Sequence, residues 1–385
     1  SWPPGKTLVA RLMNCCGGYL NHYGDYSSAQ IAAGLNYTYG GWADGNSPSD
    51  IENSKLVVLF GNNPGETRMS GGGVTYYLEQ ARAKSNARMI IIDPRYTDTG
   101  AGREDEWIPI RPGTDAALVS ALAWVMITEN LVDQPFLDKY CVGYDEKTLP
   151  SSAPANGHYK AYILGQGSDG VAKTPEWAAA ITGIDAQRIV ALAREMASQR
   201  TMVNISWSIQ RARQGEQAYW ATVALTALLG QIGTPGGGLG FGYACTNLAG
   251  AGRKAFSGPR LPAGENAVNQ VIPVARLSDM LLHPGEAYEF DGQHLRYPDI
   301  RLVYWAGGNA FHHHQDINRL CEAWRRPETV VVHEQYWTAQ AKFSDIVLPV
   351  TTSLEREDIG SGGHDGFMIA MSAQIPPVGD ARDDY

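Results

Sequence analysis

Asn14 to Gln30 (NCCGGYLNHYGDYSSAQ) gathers glycines, aromatics, an acid and two hydroxyls in a stretch too irregular for one helix or strand. Gly17 and Gly18 permit close backbone approach to a ligand, and Ser27 and Ser28 offer oxygen donors just before an expected helix. The simpler role for Ser27 is to cap the helix that begins near Ala29. In Ile110 to Leu118 (IRPGTDAAL) a strand ends in a Pro-Gly turn whose Gly113, Thr114 and Asp115 open a helix. Amides at a helix N-terminus favour an anion. An acid there competes for those amides and suits a donor-rich edge such as a guanine or a ribose, unless it simply caps the helix. Asp93 ends an apolar strand, where an acid accepts from ribose hydroxyls. Thr201 to Glu216 is a strand followed by Gln210, Arg211 and Arg213; arginine grips phosphate with two parallel hydrogen bonds, and a solvated basic turn is the alternative. Thr234 to Gly242 (TPGGGLGFG) offers amides for a pyrophosphate. His312, His313 and His314 invite a metal, but on an extended backbone consecutive side chains alternate faces and cannot converge on one ion. Hydrogen bonding to a ligand at the strand end explains them better, or a turn with one buried and two solvated imidazoles.

The elements that must position these groups occur twice. Lys55 to Glu66 (KLVVLFGNNPGE) with Arg88 to Pro94 (RMIIIDP) is echoed by Arg301 to Asp316 (RLVYWAGGNAFHHHQD) with Thr329 to Gln335 (TVVVHEQ). Each copy has a threonine at the fourth position past its acid, Thr97 after Asp93 and Thr338 after Glu334. Each then has a further acid and a strand ending in proline, Asp105 to Pro109 and Asp345 to Pro349. Val- and Ile-rich runs bounded by turn residues read as buried parallel strands, whose ligands sit beyond the strand C-termini. Two copies imply two nucleotide-like ligands, or one ligand and a decayed site. Helices are expected from Asp115 to Glu129, with Asp115 as the cap, in two stretches of Glu176 to Ala197, and from Glu216 to Leu229, closed by Gly230. Gly233 to Asn269 reads as an interdomain crossing or a ligand-wrapping loop.

The 385 residues suffice for two or three domains. A net charge of -9 and a pI near 5.5 argue against nucleic acid or an anionic membrane as partner. No apolar run is long enough for a membrane span, and the five cysteines show no C-x-x-C spacing, which excludes the usual zinc and iron-sulfur patterns. Ser1 to Lys6 lacks an initiator methionine and Asp380 to Tyr385 ends without a closing element, so the chain reads as an internal segment.

Taken together, GDYSS at Gly24 to Ser28, GNNPGET at Gly61 to Thr67, IDPRYTDT at Ile92 to Thr99, RPGTDAAL, WSIQRARQGEQ at Trp207 to Gln217, LLGQIGTPGGGLGFGY at Leu228 to Tyr243, GGNAFHHHQD and DIVLPVTTSLEREDI at Asp345 to Ile359 resemble the dimethyl sulfoxide reductase family. These molybdenum enzymes carry two molybdopterin guanine dinucleotides, and the resemblance spans nearly the whole chain. Residues up to about Met196 are more similar to the membrane-anchored, iron-sulfur-containing catalytic subunit. From Arg200 onward the chain is more similar to the soluble trimethylamine N-oxide, biotin sulfoxide and dimethyl sulfoxide reductases.

The resemblance implies an α/β fold with two related dinucleotide-binding domains and mostly parallel sheets, from the middle of a larger molybdoenzyme. Residues 37-254 would form the first domain and 1-36 with 255-385 an incomplete second, without the family's N- and C-terminal domains. Ser27 matches the serine that binds molybdenum, with Ser28 as a rival, and an oxygen donor suits a high-valent metal. Glu66, Thr67, Asp93, Gly113, Thr114 and Asp115 would contact one dinucleotide. Trp207, Ser208, Gln210, Arg211, Asn309, His313 and Glu334 would serve the pterins or the second dinucleotide. Tyr23, Tyr26 and Trp42 are candidates to line an access funnel, with packing the expected role of each. The implied reaction is reduction of a small S-oxide or N-oxide in anaerobic respiration. Its cofactor is bis(molybdopterin guanine dinucleotide) with molybdenum, any iron-sulfur cluster lying only in the absent N-terminal part. The resemblance also implies a bacterial periplasm and an iron-sulfur subunit or cytochrome as electron donor. Rival readings are a nitrate- or formate-type enzyme, for which Asp25 keeps a carboxylate ligand in play, and a cofactor-free electron-transfer scaffold. Ala310 stands where the family has proline, which is expected to loosen the turn beneath the second ligand.

Overall fold

The computed structural model describes residues 4-40, 45-67, 73-244, 261-361 and 368-383. They form two compact units, Ser28–Lys254 and Ser1–Ser27 with Ala255–Tyr385.

In Ser28–Lys254 five parallel strands lie in the order Glu106–Ile108, Arg88–Ile92, Leu56–Phe60, Thr201–Ile205, Gly238–Phe241. Side chains alternate along a strand, so each strand feeds two layers. Leu56, Val58, Phe60, Ile90, Ile92 and Val203 enter one core, and Val57, Leu59, Met89, Ile91 and Met202 enter the other. The larger layer centres on the helix Asp115–Thr128, which carries no charge after Asp115 and is buried along most of its length. A helix apolar all round belongs inside, and Pro175–Thr182, Ala186–Ala197 and Glu216–Leu228 enclose it. Val74–Ser85 and the 3-10 turn Pro48–Asn53 cover the opposite face.

Three expectations change here. Ala29–Asn36 belongs with this unit, not the other, because Ile31 and Leu35 are fully buried in its larger core. The domain boundary therefore falls after Ser27 rather than after Asn36. Gly238–Phe241 is a buried strand paired with Thr201–Ile205, not part of a loop. Asp115 is the first helical residue and Thr114 holds the cap position, its hydroxyl donating to Arg111 O at 2.7 Å.

The other unit has three parallel strands in the order Leu302–Ala306, Thr329–Glu334, Ile346–Pro349. A two-stranded parallel pair, Asn21–Tyr23 with Val271–Pro273, and two antiparallel hairpins complete its sheets. Its core gathers Ile272, Met280, Phe311, Leu320, Trp324 and Val330. The sequence duplication extends to single hydrogen bonds. Asp105 accepts from Met89 N at 2.7 Å and Asp345 from Val330 N at 2.8 Å, each carboxylate bridging to the neighbouring strand at the same place in the repeat.

The copies differ beneath the first turn. Pro64 has no amide hydrogen, so the next amide, Gly65 N, donates to Thr99 Oγ1 at 2.8 Å. In the second copy Ala310 keeps its hydrogen and donates to Gln340 Oε1 at 2.6 Å, and Gln340 occupies the position corresponding to Thr99. Both Ala310 and Gln340 are buried. The alanine therefore does not loosen the turn; a buried amide holds it. Ala310→Pro, although it restores the family residue, should cost about 1–3 kcal/mol by stranding the Gln340 oxygen. Thermal unfolding of the single and the Ala310→Pro/Gln340→Thr double variant tests this, and an unchanged midpoint in the single variant would refute it.

Candidate functional site

The C-terminal ends of the first unit's central strands bring three predicted clusters together. Gly61 turns the chain at φ +58, and a Cβ there would meet Ile209 at 3.2 Å. The turn after Leu56–Phe60 thus lies against the segment after Thr201–Ile205. Asn63 follows, its Oδ1 accepting from Thr99 Oγ1 at 2.6 Å. Glu66 is exposed and paired with Arg95 at 3.0 Å; hydrogen bonds from Asn63, Arg95 and the Asp98 amide lower its pKa. Thr67 is exposed, with its hydroxyl donating to Asn63 O at 2.9 Å.

Asp93 and Asp115 are the unusual pair. Both are buried, and burial raises both carboxyl pKa values, Asp115 to about 6. The Asp93 charge adds to the rise at Asp115. Arg95, which lowers Asp93, is committed to Glu66, and no cation is among the groups that shift Asp115. Two desolvated carboxylates without a dedicated cation call for a ligand edge that donates hydrogen bonds. Gly113, at φ +76, has open space where a Cβ would be. Thr97, in the same loop as Asp93, has a buried hydroxyl with no hydrogen-bond partner among the described residues. Its counterpart Thr338 donates to Glu334 Oε2 at 2.9 Å. Thr97 was absent from the expected site, although the repeated acid-to-threonine spacing marks it.

Of the segment after Thr201–Ile205, Ser208 and Arg211 are exposed and Trp207 is half-buried against Phe241, ring centroids 5.5 Å apart. Gln210 is buried, and its Oε1 accepts from Ile31 N at 3.1 Å, serving the first turn of Ala29–Asn36.

In the other unit Asn309 and Glu334 stand at corresponding strand ends. Asn309 Oδ1 accepts from Phe311 N at 3.0 Å and caps Ala310–His313. His312 and His313 end the helical turn Ala310–His313 rather than lying on an extended strand, and His314 is its C-cap; His312 and His313 are exposed and His314 is buried. His313 lies parallel to Tyr26, centroids 6.5 Å apart. Tyr23 donates to Asp291 Oδ2 at 3.0 Å. Trp42 lies outside the described residues.

Ser27 is exposed, and its amide donates to Asp25 Oδ1 at 2.7 Å, forming a tight local turn. The helix cap is Ser28, whose side chain makes no capping bond, so the capping role expected for Ser27 does not hold.

A family model described as molybdopterin oxidoreductase matches residues 1–385. The chain belongs to the molybdopterin oxidoreductase family. Dimethyl sulfoxide reductase DmsA of Escherichia coli (strain K12) is 59% identical over 391 residues, covering 98% of this chain and 47% of that protein. Biotin sulfoxide reductase of Cereibacter sphaeroides is 42% identical, covering 99% of this chain and 51% of its own. Trimethylamine-N-oxide reductase of Haemophilus influenzae is 37% identical, covering 99% and 47%. Each spans both halves of the chain, and the chain spans about half the length of these relatives. Among solved structures, acetylene hydratase from Pelobacter acetylenicus aligns with all of this chain and 57% of its own, with a TM-score of 0.53 at 16% identity, a likeness of fold alone.

Membership in the molybdopterin oxidoreductase family implies molybdenum carried on molybdopterin. The residues fit such a group. Among the described residues no group of three His, Cys, Asp or Glu could hold a metal ion. The buried Asp93 carboxylate accepts from Arg95 N at 2.8 Å, and acceptor-only groups such as Asp93 and Asp115, with no cation of their own, suit a nucleotide's donors. No helix among the described residues is long and apolar enough to cross a membrane.

The raised Asp115 pKa has a measurable consequence. Its contribution to stability is fully present below about pH 4 and is lost as pH rises through about 6. Asp115→Asn should therefore stabilise cofactor-free protein by up to about 3 kcal/mol at pH 8, with the gain fading below about pH 4. Urea unfolding across pH checks this; a difference that does not vary with pH would refute the burial account.

Proposed function

We propose that the protein containing this chain reduces small S-oxides or N-oxides by oxygen-atom transfer, using bis(molybdopterin guanine dinucleotide). The observation that carries this reading is 59% identity to a dimethyl sulfoxide reductase across 98% of the chain. When bound, the molybdenum cofactor would accept the oxide oxygen and carry the two electrons, supplied by the electron donor, that with two protons turn that oxygen into water. The chain supplies placement. Ser27 offers the metal its hydroxyl oxygen, and the Asx turn to Asp25 restrains the backbone that carries it.

Asp93 and Asp115 accept from guanine or ribose donors of one dinucleotide, with Thr97, Gly113 and Thr114 alongside and Glu66 and Thr67 at the rim. Trp207, Ser208 and Arg211 serve the pterins, while Asn309, His313 and Glu334 serve the second dinucleotide. Gln210 acts one step back, by holding the helix at Ile31. The same reading carries a periplasmic setting, anaerobic respiration and an iron-sulfur or cytochrome electron donor.

In the full-length protein from a host that makes the cofactor, molybdenum per chain measured by mass spectrometry should be near one. Ser27→Ala should retain the dinucleotides yet lose oxide reduction by about 100-fold or more; wild-type turnover would overturn the ligand assignment. Asp115→Asn should lower cofactor occupancy even as it stabilises the empty protein. Folded protein that never takes up molybdenum would favour the cofactor-free scaffold.

A further inference from the structure

Ser27 lies on a surface turn, and a metal ligand must be held to within about 0.5 Å of its productive position. The Asx turn to Asp25 is local and restrains only the amide. The long-range restraint enters one residue earlier, at Tyr26.

Tyr26 Oη lies 2.9 Å from Val274 O and 2.7 Å from His314 Nδ1. His314 Nε2 in turn lies 2.9 Å from Ser278 Oγ. A carbonyl only accepts, so the single tyrosine proton goes to Val274 O. Tyr26 must then accept from His314 Nδ1–H, which leaves Nε2 to accept the Ser278 hydroxyl proton. Every proton in the chain has one destination, and the direction of each bond is fixed. The ring of His314 stands edge-on to Tyr26, centroids 5.7 Å apart, and His313 lies parallel to it. His314 and Ser278 are buried. Val274 and Ser278 stand at the start of and within the 3-10 and α-helical turns Val274–Arg276 and Leu277–Leu282. Folding of the second unit is therefore what sets the Tyr26 ring, and with it the backbone leading to Ser27.

We infer that Tyr26, oriented by His314 and Ser278, is a positioning residue that fixes the Ser27 hydroxyl for the metal. This rests on the proposed role of Ser27. It also assigns a use to His314, a member of the histidine triplet that neither binds metal nor meets solvent.

The test uses full-length holoenzyme, with Tyr26→Phe, His314→Ala, His314→Asn, Ser278→Ala and, as reference, Ser27→Ala. Molybdenum per chain and the electron paramagnetic resonance spectrum of Mo(V) are read beside kcat and KM. Tyr26→Phe and His314→Ala should keep molybdenum near the wild-type ratio but shift or split the Mo(V) signal. In both, kcat should fall about tenfold or more with little change in KM. The asparagine amide reproduces the Nδ1 donor, so His314→Asn should recover most of the wild-type signal. A wild-type signal in metal-loaded Tyr26→Phe would overturn the inference and leave Tyr26 a packing residue. Should Tyr26→Phe fail to load, Ser278→Ala decides, because it removes one hydroxyl at the far end: a shifted signal supports the relay and an unchanged one overturns it. If Ser27→Ala itself retains the wild-type signal, the ligand assignment fails, whatever the Tyr26 variants do.

Discussion

A parallel strand between parallel neighbours can bury both faces only if helices cover each side, and in Ser28–Lys254 that requirement governs everything else. Leu56–Phe60 is buried at every position, giving alternate residues to two separate cores. With both faces filled, the surface left for a ligand is the edge where the strands end. Polar residues gather there: Asn63 and Glu66 after one strand, Asp93 after the next, Ser206 to Arg211 after a third. The helix Asp115–Thr128 begins at the same edge, which is why its first residue is the single charge in an otherwise apolar segment.

That edge carries an electrostatic cost. Asp93 and Asp115 both lose water on folding, and the Asp93 charge makes ionisation of Asp115 harder still. A fold selected for stability alone would place an amide or an apolar residue at Asp115. Retaining a carboxylate with no committed cation is the behaviour of a site that waits for donors. Thr97 adds a buried hydroxyl that its counterpart in the second copy uses on its own acid. The two copies thus share a scaffold but differ in what they leave open.

The second unit solves a different problem. Its three-stranded sheet has the same acid-to-amide bridge, Asp345 to Val330 N, and holds its first turn through Gln340 where the other copy relies on Pro64 and Thr99. The ordered network is the one at Tyr26, where four polar groups from three segments leave no ambiguity in proton direction. Networks in which every donor and acceptor is matched are rigid, and rigidity beside Ser27 is what the role proposed for that serine would require.

The sequence by itself determined the central strands, the long helices and the duplication, because these follow from local pattern: continuous apolar runs, turn residues and acids repeated at fixed spacing. It also marked Asp93 and Asp115, since an acid at a strand end or helix start stands out locally. What it did not determine depends on neighbours distant in the chain. Gly238–Phe241 alternates glycine with Leu239 and Phe241 inside a glycine-rich stretch and is recognisable as a strand only because Thr201–Ile205 lies beside it. Ala29–Asn36 joins its unit through the burial of Ile31 and Leu35, which no boundary signal in the sequence announces. That Gln210 Oε1 accepts from the Ile31 amide is invisible in the sequence, and the three histidines divide into two exposed and one buried by the curl of a single helical turn. Tertiary structure decided these because a hydrogen-bond partner or a buried face is a relation between segments, and only folding brings those segments together.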